Sequence, residues 1–387
     1  MTEPIDGVDQ VDVAIVGAGP VGMTLALALA GGPLRVLLID SRRRGAWAAD
    51  PRALALSQGT RQLLERLGAW NVDAGTAIDS IHVSQRGGFG RTLIDTRDYD
   101  LPALGYVMRY RDLAAALDAR IDRVPLLDNS TVVELANGAE ATEIVLSSDG
   151  AKRRVAARLL VHAEGTPGND PDVRVCDYRQ HAVVAEVRPV AGHARRAWER
   201  FTPDGPLALL PLGQDYSLVF TVPPERAAQL LALDEQRFLA ALRAQFGSRL
   251  DFASCGARAS FPLALRVRRK LSAPRQVWIG NAAQSLHPVS GQGFNLGLRD
   301  AWELAEKLLA NGAGDPGDAA LLASYARARR LDRGGSIAFT DGIVRLFAND
   351  LAPLRIARGV GLLALEVLPP LRHFVAKRMI WGARAWP

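Results

Sequence analysis

The stretch from Val11 to Asp40 leaves this chain few folds to choose from. A β-branched apolar run, Val11 to Val16, breaks into Gly17-Ala18-Gly19-Pro20-Val21-Gly22. An apolar helical pattern follows from Met23 to Ala30, and a second apolar run, Val36 to Ile39, ends on Asp40. Each part has a mechanical reason in a strand-helix-strand unit that holds a dinucleotide. Gly17 permits the tight turn, Gly19 has no side chain to keep the backbone from a pyrophosphate, and Gly22 lets the helix pack closely on the strand. The whole Gly17–Gly22 loop, Pro20 included, is assigned to cofactor binding. The helix start offers N–H groups and partial positive charge to phosphates. Asp40 stands where a carboxylate can accept hydrogen bonds from a ribose. The bland alternative is a glycine-rich structural turn, and the motif does not by itself separate FAD from NAD.

With 387 residues, 48% of them hydrophobic, the chain is too long for one ordinary core and fits two interleaved domains. Its only cysteines are Cys176 and Cys255, without CxxC or Cys/His spacing, so neither a metal site nor a disulfide framework is expected. No charged-then-apolar segment precedes the first strand and no apolar run nears the roughly 20 residues that span a bilayer. The expected location is the cytoplasm, with peripheral contact at the inner membrane. The formal charge of +6 rests almost wholly on arginine. Those arginines are spread along the chain with no recognition motif, which argues against nucleic acid and leaves an anionic membrane surface as the partner for excess charge.

Further along, Arg52 follows the second strand closely, either as a solvent-exposed arginine or as a clamp on the pyrophosphate through its fork of donors. Residues 81–99 read as a hairpin, and strands at 131–135, 143–147 and 155–161 return the chain to the first domain, ending at Glu164-Gly165. A β-rich insertion follows 182. A second chemical constellation runs from Val277 to Asp300. There a strand ends in Gly280-Asn281, and a loop with His287, Pro288, Gly291 and Gly293 opens a helix near Phe294. A helix start of this kind would stabilise negative charge on a reduced flavin. Asn281 suits a ribityl chain or phosphate. His287 is either an ordinary packed side chain or a group at the reacting site. The tail, 341–387, is helical in pattern, divided by Pro369-Pro370, and mixes apolar residues with Arg355, Arg358, Arg372, Lys377, Arg378, Trp381 and Trp386. It reads as a helical cap or as a surface for a membrane or partner protein.

These residues together resemble the three fingerprints of the FAD-dependent aromatic hydroxylases: Gly17–Gly22, Glu164-Gly165, and Gly280-Asn281 with His287-Pro288 and Gly291-Gln292-Gly293. Asp50-Pro51-Arg52, Tyr178-Arg179-Gln180, Glu199-Arg200-Phe201-Thr202 and Phe294-Asn295-Leu296-Gly297-Leu298-Arg299-Asp300 are similar to the ubiquinone-biosynthesis branch, and within it to the 2-polyprenyl-6-methoxyphenol hydroxylases. The resemblance runs from about Val11 to about Gly382. Two departures stand out: Glu164-Gly165 replaces the usual Asp-Gly, and the second strand ends in Asp40 where Glu is usual.

The resemblance implies an α/β fold: a Rossmann-like FAD-binding domain (1–75, 100–181, 265–335), an inserted β-sheet substrate domain (76–99, 182–264) and a C-terminal helical segment (336–387). It implies FAD as bound cofactor, NAD(P)H as transient co-substrate without a Rossmann domain of its own, and O2. The hydroxyl would pass from a flavin C4a-hydroperoxide to the ring of a polyprenylated phenol. Gly17, Gly19, Pro20, Gly22, Asp40, Arg52, Glu164, Gly280, Asn281, Pro288, Gly291, Gly293, Phe294 and Asn295 would hold the cofactor, with His287 and Pro288 at the reacting end. The readings left open are a flavin hydroxylase of another aromatic substrate and an FAD-containing, non-catalytic component of a biosynthetic complex. Association as a homo-oligomer or within such a complex is a further expectation.

Overall fold

The strand Val36–Ile39 is buried at all four positions, the character of a strand inside a parallel sheet covered on both faces. Its neighbours share it. The computed structural model describes residues 9–382 apart from 169, 248 and 348–351, so Trp386 and residues 1–8, both within the expected regions, lie outside the described residues. In an eight-stranded sheet, Asp9–Val16 lies between Val36–Ile39 and Ala151–His162, parallel to both. The register places Val16 opposite both Ile39 and His162. Gly17, Asp40 and Glu164 therefore leave the sheet at one common edge, the carboxyl ends of adjacent parallel strands, where open α/β sheets bind their ligands.

The helices among the described residues are α1 (Pro20–Leu29), α2 (Gln58–Arg66), α3 (Tyr110–Asp118), α4 (Pro224–Ala232), α5 (Glu235–Phe246), α6 (Gln292–Ala310), α7 (Ala319–Phe347), α8 (Ala352–Val367) and α9 (Pro369–Trp381). One core joins the first sheet to α1 and α6 through Leu25, Leu29, Leu298, Leu304 and Leu308. A nine-stranded sheet forms the second layer, its central strands Val173–Pro189, Asp215–Val222, Gly205–Leu212, Arg196–Thr202 and Ser80–Gln85. One of its faces is covered by α4 and α5, with Phe238, Leu242 and Phe246 packed on Leu207, Leu218 and Phe220. A small sheet, Ala53–Ser57 with Gly105–Arg109 and Thr76–Ile78, stands between the two large ones. The architecture is the expected one: α/β, with a Rossmann-like region, an inserted β-sheet and C-terminal helices.

Three domain boundaries fall inside continuous elements. Residues 181/182 and 264/265 lie within Val173–Pro189 and Ala259–Arg268, which pair antiparallel from Val173↔Arg268 to Val184↔Ala259 and so belong to both regions. Residues 335/336 lie inside α7. Gly334-Gly335 reads as a helix stop, at a cost of roughly 1 kcal/mol per glycine, but buried ion pairs hold the helix through that point. Thr76–Ile78 pairs with Gly105–Arg109 rather than with the substrate sheet. The strand Arg196–Thr202 escapes sequence reading because Arg196, Glu199 and Arg200 interrupt its apolar alternation.

Candidate functional site

Backbone sterics build the first junction. A methyl on Gly22 would lie 1.9 Å from the Gly17 carbonyl oxygen, and one on Gly17 would lie 2.4 Å from the Ala163 carbonyl oxygen. Gly17 also takes φ 107°, a conformation that L side chains rarely adopt. Strand, turn, α1 and the Ala163–Glu164 turn are thus pressed together with no room for side chains. In front of the turn there is space: a methyl on Gly19 would meet only the Tyr110 hydroxyl, at 3.5 Å. Pro20 occupies the first turn of α1, where a missing N–H removes no helix bond.

Asp40 is buried and busy. Its Oδ2 accepts from the Ala18 N–H at 2.8 Å, and its Oδ1 accepts from the Arg42 N–H at 2.8 Å and from Arg42 Nε at 3.1 Å. Burial pushes this carboxyl up, but the Arg42 bonds and charge outweigh it and hold the group below the usual carboxylate range. A cavity beside it is lined by Ala18, Asp40, Arg42, Arg44, Trp47 and Leu126. Arg52 is gripped by Asp50, Nη2 to Oδ2 at 2.6 Å, and its guanidinium lies 5.0 Å from the Tyr110 ring centre. Tyr110, which no motif singles out, thereby links Arg52 to the Gly19 turn.

The second junction is built around α6. Gly291, at φ 60°, caps the helix, and a methyl there would sit 3.0 Å from the Ala55 Cβ. Asn295 ties this turn to the strand Ala53–Ser57. Its Oδ1 accepts from Ser57 N at 2.9 Å and Thr60 Oγ1 at 2.7 Å, and its Nδ2 donates to Ala55 O at 2.9 Å and Gly291 O at 2.7 Å. With both ends of its amide committed, Asn295 positions the turn rather than offering a free group to a ligand. Phe294 packs its ring on the main core. Asn281 and Pro288 stand exposed on the same loop.

The two junctions meet. A methyl on Gly280 would lie 3.1 Å from Val21 of α1, and one on Gly297 of α6 would lie 3.0 Å from the Gly280 Cα. Arg52 beside the first turn and Ala55 beside the second are three residues apart on one extended segment, about 10 Å. Asp300, buried in α6, fixes the intervening loop. Its Oδ2 accepts from Gly280 N at 3.1 Å and Gln284 Nε2 at 2.6 Å, while its Oδ1 accepts from Arg329 Nε at 2.7 Å. Asp300 closes the quoted late motif, yet sequence alone gives it no role.

His287 is 1% exposed. Its Nδ1 accepts from Val289 N at 3.1 Å, so the neutral ring carries its proton on Nε2, which is buried with no partner among the described residues. Burial pulls the ring's pKa down to about 4. Its ring packs edge to face with that of Tyr178, whose hydroxyl donates to Asp341 Oδ1 at 3.0 Å. The Glu164 carboxylate meets His162 Nδ1 at 3.1 Å.

An open turn before Gly19 at a helix start, a cavity at Asp40, an arginine beside the turn, and a second helix start packed on the same strand Ala53–Ser57 fit an FAD spanning both junctions. A family model described as an FAD binding domain matches residues 10–334. The ubiquinone hydroxylase UbiL of Rhodospirillum rubrum is 35% identical over all of this chain and 94% of its own length. The 3-demethoxyubiquinol 3-hydroxylase of Escherichia coli is 30% identical, over 92% of this chain and 94% of its own. The crystal structure of the p-nitrophenol 4-monooxygenase PnpA from Pseudomonas putida superposes with TM-score 0.75 at 16% identity, over 97% of this chain and 99% of that one, a likeness of fold. With that family model over most of its length and relatives of this similarity, the chain belongs to the FAD-dependent aromatic monooxygenases, related to the ubiquinone hydroxylases.

Proposed function

We propose that this protein uses NAD(P)H and O2 to hydroxylate the ring of a polyprenylated phenol in ubiquinone biosynthesis. The observation that carries the reading is the face of the nine-stranded sheet turned toward the second junction. Val83, Ala208, Val219 and Val184 stand there in register and only half-buried, while their neighbours on the opposite face are buried. This apolar floor suits an aromatic ring with a hydrocarbon tail. The names of UbiL and of the Escherichia coli relative support the same substrate class.

Bound FAD supplies the two-electron chemistry and the reaction with O2. The chain's own residues bind, orient and exclude water. The Gly17–Gly22 turn and α1 receive the pyrophosphate, Arg52 adds a cation beside it, and Asp40 faces the adenosine end. Gly280-Asn281 and the start of α6 receive the ribityl and ring end. NAD(P)H, with no fingerprint of its own, visits without a dedicated fold.

We further propose that α8 and α9 lie on a membrane surface from which the tail is taken up. No helix among the described residues is long and apolar enough to cross a membrane. Instead Ile356, Val360, Leu363, Val367, Leu371 and Phe374 are exposed at helical spacing, a stripe suited to the interface. The inner face of α8 packs on the 80–95 hairpin, with Thr92 Oγ1 donating to Leu362 O at 2.6 Å. Arg358 and Arg372 bond to backbone carbonyls and serve structure.

The test is NAD(P)H consumption by the FAD-loaded protein with phenols of increasing prenyl length, with products analysed by mass spectrometry. Tail-dependent consumption and a product heavier by one oxygen support the reading. A preference for tailless phenols would move it to another aromatic substrate, and no turnover on any phenol would leave an FAD-binding scaffold.

A further inference from the structure

Glu199 is a carboxylate set in the apolar floor just described. It lies in the strand Arg196–Thr202, opposite Val83 on one side and Ala208 on the other. Alternation along the strand fixes its direction. Two residues before it, Ala197 clusters with Val107 and Ala53 of the small sheet. Two residues after it, Phe201 clusters with Val289 and Val344. The next residue along from Ala53 on that same face is Ala55, which touches Gly291, and Val289 follows His287. Glu199 therefore faces the gap between the strand Ala53–Ser57 and the 287–291 turn, where the ring end of FAD belongs. Its Oε1 is buried with no hydrogen-bond partner among the described residues. A buried carboxyl oxygen left unsatisfied is costly and calls for an explanation.

We propose that Glu199 receives the phenol hydroxyl of the substrate, accepting its hydrogen bond and taking its proton as the ring is attacked. The inference rests on the substrate class proposed above. The phenol O–H bond breaks, a carboxyl O–H bond forms, and the electron pair stays on the phenol oxygen, where it activates the ring toward an electrophile. The proton returns to the product's oxygen on release.

The surroundings suit this work. On the strand itself, Arg196 lies over the Trp198 ring and Arg200 Nε donates to Gln245 O at 3.0 Å, both toward α5. On the neighbouring strand, His82 packs at a tilt against Trp198 on that same far side, and Gly205–Leu212 has no titratable residue. On the near side stand Tyr178, bonded to Asp341, which pairs with Arg345, and the neutral His287. Farther along the floor Glu186 is matched by Arg109. Burial alone raises the Glu199 carboxyl to about 8. The acid therefore keeps its proton at neutral pH and becomes a base as pH rises through that value.

The experiment uses FAD-loaded full-length enzyme and the Glu199→Gln and Glu199→Asp variants, with 2-prenylphenol as probe. Binding is read from perturbation of the flavin absorbance, and turnover from hydroxylated product. In the wild type, Kd should tighten about tenfold and kcat should rise as pH passes about 8. Glu199→Gln should keep the flavin spectrum and thermal midpoint, show a pH-independent Kd, and lose turnover on the order of a hundredfold. Glu199→Asp should restore part of both. An unchanged Kd, kcat and pH profile in Glu199→Gln overturns the proposal, as does a lowered thermal midpoint with Kd unchanged. Wild-type protein that binds the probe with this pH dependence but makes no product would leave the Glu199 assignment standing and sink the proposed reaction.

Discussion

At Gly22 a single methyl group decides whether the cofactor turn can close. Added there, it would lie 1.9 Å from the Gly17 carbonyl oxygen, far inside contact distance, and the only relief is to move α1 off the strand. Gly22→Ala should therefore purify with most of its FAD lost, read from the flavin absorbance of the isolated protein. His287 makes a second residue-scale prediction. Its folded pKa of about 4 lies below the 6.5 of an exposed histidine, so the unfolded chain binds the proton first. Between those values stability must fall as pH falls, and His82, lowered to about 4 by burial and by nearby arginines, adds to the same trend. Urea midpoints measured from pH 7 down to 4 should decline in the wild type and decline less in His287→Gln. Activity should show no titration from His287 above about pH 5.

At the scale of elements, α6 and α7 are locked to the 280–284 loop by charges removed from water. Arg329 is 2% exposed and donates to Asp300 at 2.7 Å and to Asp332 at 2.8 Å, while Arg299 reaches Asp332 at 2.7 Å. Arg333 completes the lock, donating to Gln284 Oε1 at 2.7 Å and to Arg268 O at 2.6 Å. Removing one member leaves buried charge uncompensated, so Arg329→Met should cost about 3–5 kcal/mol in urea unfolding. The same variant should weaken FAD binding, because Asp300 also holds Gly280. This lock explains where sequence reading succeeds and fails. The first strand-helix-strand unit is legible because apolar period, glycine spacing and terminal acid all agree. The Gly291 junction is legible because a glycine turn feeds a long amphipathic helix. Helix α7 is not legible through Gly334-Gly335, since its continuity depends on Arg329 and Asp332 meeting partners far away in sequence. Glu199 stays hidden for a related reason: a charged residue in a strand signals solvent until the sheet shows which way it points.

At the scale of the whole molecule, three sheets and the C-terminal helices converge on one site. In the proposed site the strand Ala53–Ser57 would join the phosphate end to the ring end and the nine-stranded sheet would supply the floor, while α8 and α9 carry an exposed apolar stripe. If that stripe meets a membrane, Val360→Glu with Leu363→Glu should reduce flotation with anionic vesicles and turnover of long-tailed phenols, while leaving FAD content and short-tailed turnover unchanged. Equal flotation of variant and wild type would remove the membrane from the account. The claim on which the molecule's reading depends is that two helix starts, far apart in sequence, hold opposite ends of one FAD. It is tested most directly by titrating FAD into apoprotein of the wild type, of Gly19→Asp and of Gly291→Val, with circular dichroism confirming that each is folded. The expected result is one FAD per chain for the wild type and loss of binding for both folded variants. Either folded variant taking up one FAD with wild-type affinity would contradict the shared site.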